Sequence, residues 1–211
     1  MWDFYTGKNV FITGGSGFVG TALIYRLITQ APGAHLYVLC RGGLPSLIQK
    51  WSEVLPQHIL EQMTDPRVVS VLEGDLIQPD FGLTSENMAL LRQRTHIIIH
   101  SASSIALLSP LAKLVSPVID VTERLAHFAL ECEGFESFVY ISSAYANGHL
   151  FYQGDGMSEV VVREAIYPLN HSAIITYNKS VTKYEVQVLL PLLSLTGFLG
   201  PMHMQNILQN G

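Results

Sequence analysis

Three glycines stand at three-residue intervals in Thr13-Gly14-Gly15-Ser16-Gly17-Phe18-Val19-Gly20: Gly14, Gly17 and Gly20. The chemistry open to such a run is the holding of an anion by backbone N–H groups. The first glycine permits a tight turn. The second lets a pyrophosphate come up against the backbone, and the third lets a helix pack close to the preceding strand. The run follows the apolar stretch Asn9–Thr13 and opens a segment of helical apolar spacing, residues 21–30. A glycine pattern alone says little. Between a strand and a helix N-terminus, it has free N–H groups and a positive dipole end to offer a phosphate. Thr13, Gly14, Ser16, Gly17, Phe18, Val19 and Gly20 are therefore the candidate contacts of a dinucleotide.

Further positions fit the same ligand. Arg41 follows the second apolar stretch, His35–Cys40, where an acidic residue would bind ribose hydroxyls and favour NAD. A guanidinium there offers a planar, permanently charged fork for a 2′-phosphate, which favours NADP(H). The plainer alternative is an arginine solvated at a strand end. Asp75, in Gly74-Asp75-Leu76 after the third stretch, is placed to accept from an adenine amino group or to cap a turn; Leu76 goes with it. Ser101 and Ala102 follow the fourth stretch, where small residues let the backbone pass a cofactor. No metal site is expected. His96 and His100 are four apart, but on a strand, where that step does not make helical neighbours.

These residues need elements to position them. Apolar runs at residues 9–13, 35–40, 68–72, 96–100 and 138–142 read as strands. Residues 21–30, 44–63 with a break near Pro56, 85–92 with Ser85 as cap, 111–131 in the half after Pro117, and 176–190 read as helices. The strands are continuously apolar rather than alternating, and they alternate with helices. That predicts a doubly wound α/β domain, with a parallel sheet covered on both faces. Residues 186–204 carry no Asp, Glu, Lys or Arg, but Pro191, Gly197, Gly200 and Pro201 interrupt them. They are read as a buried helix end and a core strand rather than a membrane span.

Composition narrows the class. The chain is 48% hydrophobic and 14% charged, which excludes a disordered chain. Its 12 Lys and Arg against 17 Asp and Glu argue against a nucleic-acid partner. Two cysteines make no disulfide framework. Its 211 residues suffice for one well-buried domain. No signal peptide is visible at the start, so a cytoplasmic setting is expected, with the uncharged segment allowing a place peripheral to a membrane.

The segments TGGSGFVG, Arg41, EGDL, IIIHSASSI and YISSAYANG together resemble the extended short-chain dehydrogenases/reductases. Within them they are most similar to the fatty acyl-CoA reductase (male-sterility) and thioester-reductase branch, over residues 7–190. The resemblance implies a Rossmann NADP(H)-binding domain over residues 1–190; the residues that remain, 191–211, are expected to be a remnant or start of a substrate-binding region, with little or no separate substrate lobe. It implies NADPH-dependent reduction of an acyl thioester, on CoA or a carrier protein, to aldehyde or alcohol. It also implies a Ser that orients the carbonyl, a Tyr that donates a proton, and a Lys that lowers the Tyr pKa. These map to Ser143, Tyr177 and Lys183; Ser143 also reads as a strand-end hydroxyl satisfying backbone groups.

The sequence departs from the family pattern in three places. The family spaces its Tyr and Lys four apart, whereas Tyr177 and Lys183 are six apart. On a regular helix, four residues leave a pair about 40° apart, and six leave it about 120° apart. At the fourth helix, Val118-Ile119-Asp120-Val121-Thr122 lacks the family's Asn. Beyond residue 190, where the family has another strand and a substrate lobe, residues 195–211 offer at most a strand and a short helix. The alternative expectation is therefore an impaired NADP(H)-binding relative without turnover.

Overall fold

A computed structural model describes residues 2–104, 111–141 and 198–199. Strands β1 (Asn9–Thr13), β2 (His35–Cys40), β3 (Val69–Glu73), β4 (Ile97–His100) and β5 (Ser137–Tyr140) run parallel in the order β3-β2-β1-β4-β5. A two-residue β6 (Phe198–Leu199) pairs antiparallel with β5. It falls in the uncharged segment expected to hold a core strand. The five longer strands make the expected parallel sheet, and an antiparallel edge strand is a common addition to such sheets. The strand order reverses between β1 and β4, so the crevice of a doubly wound sheet opens at their C-terminal ends.

Side-chain alternation builds two cores from the same strands. Val10, Ile12, Leu36, Val38, Ile97 and Ile99 face one side, where α1 (Phe18–Gln30), α2 (Gly43–Ser52) and α3 (Gln57–Met63) cover them. Phe11, Tyr37, Leu39, Ile98 and Phe138 face the other, under α4 (Ser85–Arg94) and α6 (Val121–Glu131). Continuous apolar strands and a doubly covered sheet are thus one fact. None of the described helices is long and apolar enough to cross a membrane.

Several boundaries differ from the sequence reading. α1 starts at Phe18, so Phe18, Val19 and Gly20 are helical residues rather than turn residues. Pro56 separates α2 from α3, as expected. The cap of α4 is Thr84, not Ser85, because the Thr84 hydroxyl accepts from the Asn87 N–H at 3.2 Å. Residues 111–131 are helical in both halves: α5 (Leu111–Leu114) runs into a π-helical turn, Val115–Asp120, and on into α6. Pro117 has no N–H, and a widened turn accommodates it without ending the helix. The helix expected over residues 176–190 and the boundary at residue 190 lie outside the described residues.

Candidate functional site

The glycine turn lies at the switch point, against the end of β4. Gly14 has φ +75°, and a Cβ there would stand 2.5 Å from the Ala102 nitrogen and 2.7 Å from the Ser101 carbonyl carbon. Only glycine satisfies both the left-handed backbone and that approach. A Cβ at Gly20 would strike the Gly14 carbonyl, so the third glycine lets α1 pack on the turn. At Gly17 a Cβ would meet only the Gly14 carbonyl oxygen, at 3.3 Å. That side of the turn is otherwise open among the described residues, and a ligand could come up to it. Gly17 is the N-cap of α1 and supplies no side-chain cap, and the first intrahelical bond is Thr21 N–H to Gly17 O at 2.9 Å. The N–H groups of Phe18, Val19 and Gly20 therefore have no intrahelical acceptor, which is what an anion requires. The exposed Phe18 and Val19 side chains flank this opening.

The turn is pinned from below by a residue the sequence reading passed over. Trp51 of α2 is fully buried, and its Nε1–H donates to the Gly15 carbonyl and to Thr21 Oγ1, each at 3.1 Å. The Thr21 hydroxyl also donates to the Gly15 carbonyl, at 3.1 Å. Beside Trp51, the Lys50 ammonium donates to Ser16 Oγ at 3.4 Å. Arg41 is exposed at the end of β2, and its guanidinium makes no hydrogen bond or ion pair with the described residues. Lys50 and Arg41 both act electrostatically on the Cys40 thiol, although burial dominates and raises its pKa. The mouth between the turn and β2 thus carries two cations, with the Glu73 carboxylate also acting on the Cys40 thiol.

Thr13 is wholly buried and its groups are committed to the protein. Its carbonyl accepts from Ser101 N–H at 3.2 Å and from the Ser101 hydroxyl at 3.0 Å. Its Oγ1 lies 2.7 Å from His100 Nδ1 and 3.4 Å from the Ala102 N–H. Thr13 and Ser101 support the cradle from beneath. His100, read from sequence only as a strand-end histidine, is buried among uncharged groups, and burial pushes its pKa down to about 4. Its ring is therefore neutral at neutral pH.

Asp75 stands in a turn after β3. Its Oδ1 accepts from the Ile77 N–H at 3.3 Å, so the carboxylate caps its own turn. Its N–H donates to the Phe81 carbonyl at 2.7 Å. Phe81 and Asp80 both hold positive φ, 56° and 47°, and Phe81 is anchored edge-on to the Phe128 ring at 5.6 Å. Arg124 of α6 donates to the carbonyls of Leu76 and, at 2.9 Å, of Gln78. It fixes the loop that carries Asp75 and Leu76. β5 ends at Tyr140, and the Ile141 N–H donates to the His100 carbonyl at 2.9 Å. Ser143, Tyr177 and Lys183 lie outside the described residues.

A family profile described as male sterility protein matches residues 12–183. Fatty acyl-CoA reductase 2 of Homo sapiens is 30% identical over 172 residues, which are 78% of this chain and 32% of that protein. Among solved structures, the PhqB reductase domain from Penicillium fellutanum is 26% identical, with a TM-score of 0.52, over 65% of this chain and 37% of that one. A thiolation-reductase di-domain from an archaeal non-ribosomal peptide synthetase shares the fold, with a TM-score of 0.59 at 17% identity, over 96% of this chain and 38% of that one. The chain thus spans about a third of the length of each of these proteins. The matching profile is of an NAD-binding type, so the cradle is one for a nicotinamide cofactor.

Proposed function

The chain belongs to the male sterility protein family, and on that premise we propose that it binds NADP(H) and serves the reduction of an acyl thioester carried by CoA or a carrier protein. The observation that carries this is the cradle itself. It joins a left-handed Gly14 packed on Ala102, an open approach at Gly17 and unspent N–H groups in the first turn of α1. The preference for a 2′-phosphate is supported by Arg41, unpaired among the described residues, with Lys50 beside Ser16. Two cations at that mouth, against the single carboxylate of Glu73, suit a phosphate better than ribose hydroxyls. Asp75 keeps one carboxylate oxygen outside its own turn, which could accept from an adenine amino group.

A bound nicotinamide supplies a hydride to the thioester carbonyl. The residues' part in the proposal is to orient the carbonyl through Ser143, to donate a proton at its oxygen from Tyr177, and to favour that donation through Lys183. The thioester then gives an aldehyde and a free thiol, or an alcohol after a second cycle. The relatives named as fatty acyl-CoA reductases support this substrate class. A second reading is favoured by one observation: Tyr177 and Lys183 are six apart, about 120° around a regular helix, which supports cofactor binding without turnover.

Titration with NADPH and NADH, followed by nicotinamide fluorescence, tests the first part, with NADPH expected to bind more tightly. Addition of a long-chain acyl-CoA, followed by nicotinamide absorbance, tests the second. Binding with oxidation supports the reductase, and binding without oxidation supports the second reading. The absence of any binding would overturn both.

A further inference from the structure

Four hydrogen bonds connect the floor of the cradle to α6. The Ala102 N–H meets Thr13 Oγ1 at 3.4 Å, and Thr13 Oγ1 meets His100 Nδ1 at 2.7 Å. His100 Nε2 meets Thr122 Oγ1 at 3.2 Å, and the Thr122 hydroxyl meets the Val118 carbonyl at 2.6 Å. The direction of every link is fixed from the α6 end. A carbonyl only accepts, so Thr122 spends its single proton on Val118. Thr122 must then accept from His100, which places the ring proton on Nε2. A neutral ring has one proton, so Nδ1 is bare and accepts the Thr13 hydroxyl proton. The Thr13 oxygen is thereby left with lone pairs toward the Ala102 N–H. Each donor has one acceptor, and no proton is left over.

We propose that His100 is a positioning residue for the cofactor: it transmits the placement of α6 to the Thr13 hydroxyl and so holds the Ala102 backbone against the Gly14 turn. The proposal deepens the reading that the cradle takes NADP(H), and rests on it. The opposite tautomer would drive the Nδ1 proton at Thr13, whose own proton would then compete with the Ala102 N–H. The approach of Ala102 to Gly14 leaves no slack for that, since a Cβ at Gly14 would already be 2.5 Å from the Ala102 nitrogen. The site also reaches the next strand. The His100 ring lies 5.5 Å from that of Tyr140, at the end of β5. A phenylalanine could fill the volume of His100, but it would leave the hydroxyls of Thr13 and Thr122 without their ring partner.

The test uses the full chain with ¹⁵N-labelled histidine. His100 in the native protein should show the Nε2–H tautomer, its resonance assigned by its loss in His100→Asn. Thr122→Val keeps the volume but removes the acceptor of Nε2–H, and the resonance should move to the Nδ1–H form. NADPH affinity should fall about tenfold in Thr122→Val and in His100→Phe, a step of about 1.4 kcal/mol. His100→Asn keeps an acceptor where Nδ1 stands, so it should stay within about threefold of native, a fraction of one hydrogen bond's net worth. Should Thr122→Val fail to fold, the contrast between Asn and Phe at position 100 still decides. An Nδ1–H tautomer in the native chain would overturn the proposal. So would native-like NADPH affinity in a folded His100→Phe when the native chain itself binds. Failure of the native chain to bind any nicotinamide would instead overturn the cofactor reading and take this proposal with it.

Discussion

Acid should destabilise this protein through His100, and the size of the effect follows from its burial. The ring is 1% exposed, and burial alone lowers its pKa from 6.5 to about 4. Well above pH 6.5 the ring is neutral in both folded and unfolded chains, and contributes nothing to pH dependence. Between pH 6.5 and 4 the unfolded chain takes up a proton that the folded chain refuses, so stability is lost as pH falls. The single-site linkage gives a loss of about 2 kcal/mol between pH 7.5 and pH 5, and about 3 kcal/mol once the folded ring also titrates. Urea unfolding can be followed by the fluorescence of buried Trp51 at a series of pH values. Other groups titrate in any variant, so the quantity to read is the difference between native and His100→Asn. That difference should shift by about 2 kcal/mol across pH 7.5 to 5, the native chain losing more. Parallel pH profiles for the two proteins would show that His100 is not held neutral by burial, and would remove the ground for a single ring tautomer.

Other perturbations separate folding from binding. Trp51→Phe deletes the donor to Gly15 and Thr21, and should cost about 1–2 kcal/mol, or roughly 4 °C in thermal midpoint, while weakening NADPH binding. Gly14→Ala combines a positive φ with a backbone clash at 2.5 Å and should lower stability by about 3 kcal/mol or more in denaturant titrations. Gly17→Ala meets only one atom, at 3.3 Å, with an ordinary φ of −86°. It should change stability by less than about 1 kcal/mol yet lower NADPH affinity about tenfold in fluorescence titration. Arg41→Ala should weaken NADPH about tenfold and leave NADH unchanged in paired titrations, since only a 2′-phosphate needs the guanidinium.

The readable parts of this chain were those where residue type alone encodes a constraint. Gly14 is needed for its φ and its clearance, and no other residue supplies both, so the turn could be placed from sequence. Continuous apolar strands likewise reported a sheet covered on two faces. Adjacent alternatives were harder. Thr84 and Ser85 are both good caps, and only the position of the Asn87 N–H decides between them. Pro117 read as a helix breaker, yet a π turn absorbs it. The supports of the site were not legible. Nothing in the sequence singles out Trp51 within the helical segment 44–63, and its polar edge reaches Gly15 across 36 positions. His100 read as the end of a strand because Thr122, which orders it, is 22 residues on.

These supports share a physical reason. The ligand-facing atoms of such a cradle are largely backbone N–H groups, and glycines have no side chains with which to hold their own backbone. Something distant must hold it. Three strand ends form the mouth, and each is fixed by a side chain from a helix: Gly15 by Trp51 of α2, Leu76 by Arg124 of α6, and Thr13 with Ala102 through His100 by Thr122 of α6. Trp51 works from one face of the sheet, and α6 works from the other. Two of the three supports therefore share one helix. A displacement of α6 would move the Asp75 loop and the Ala102 backbone together, on opposite sides of the glycine turn, and would loosen the cradle without altering any atom that faces the ligand.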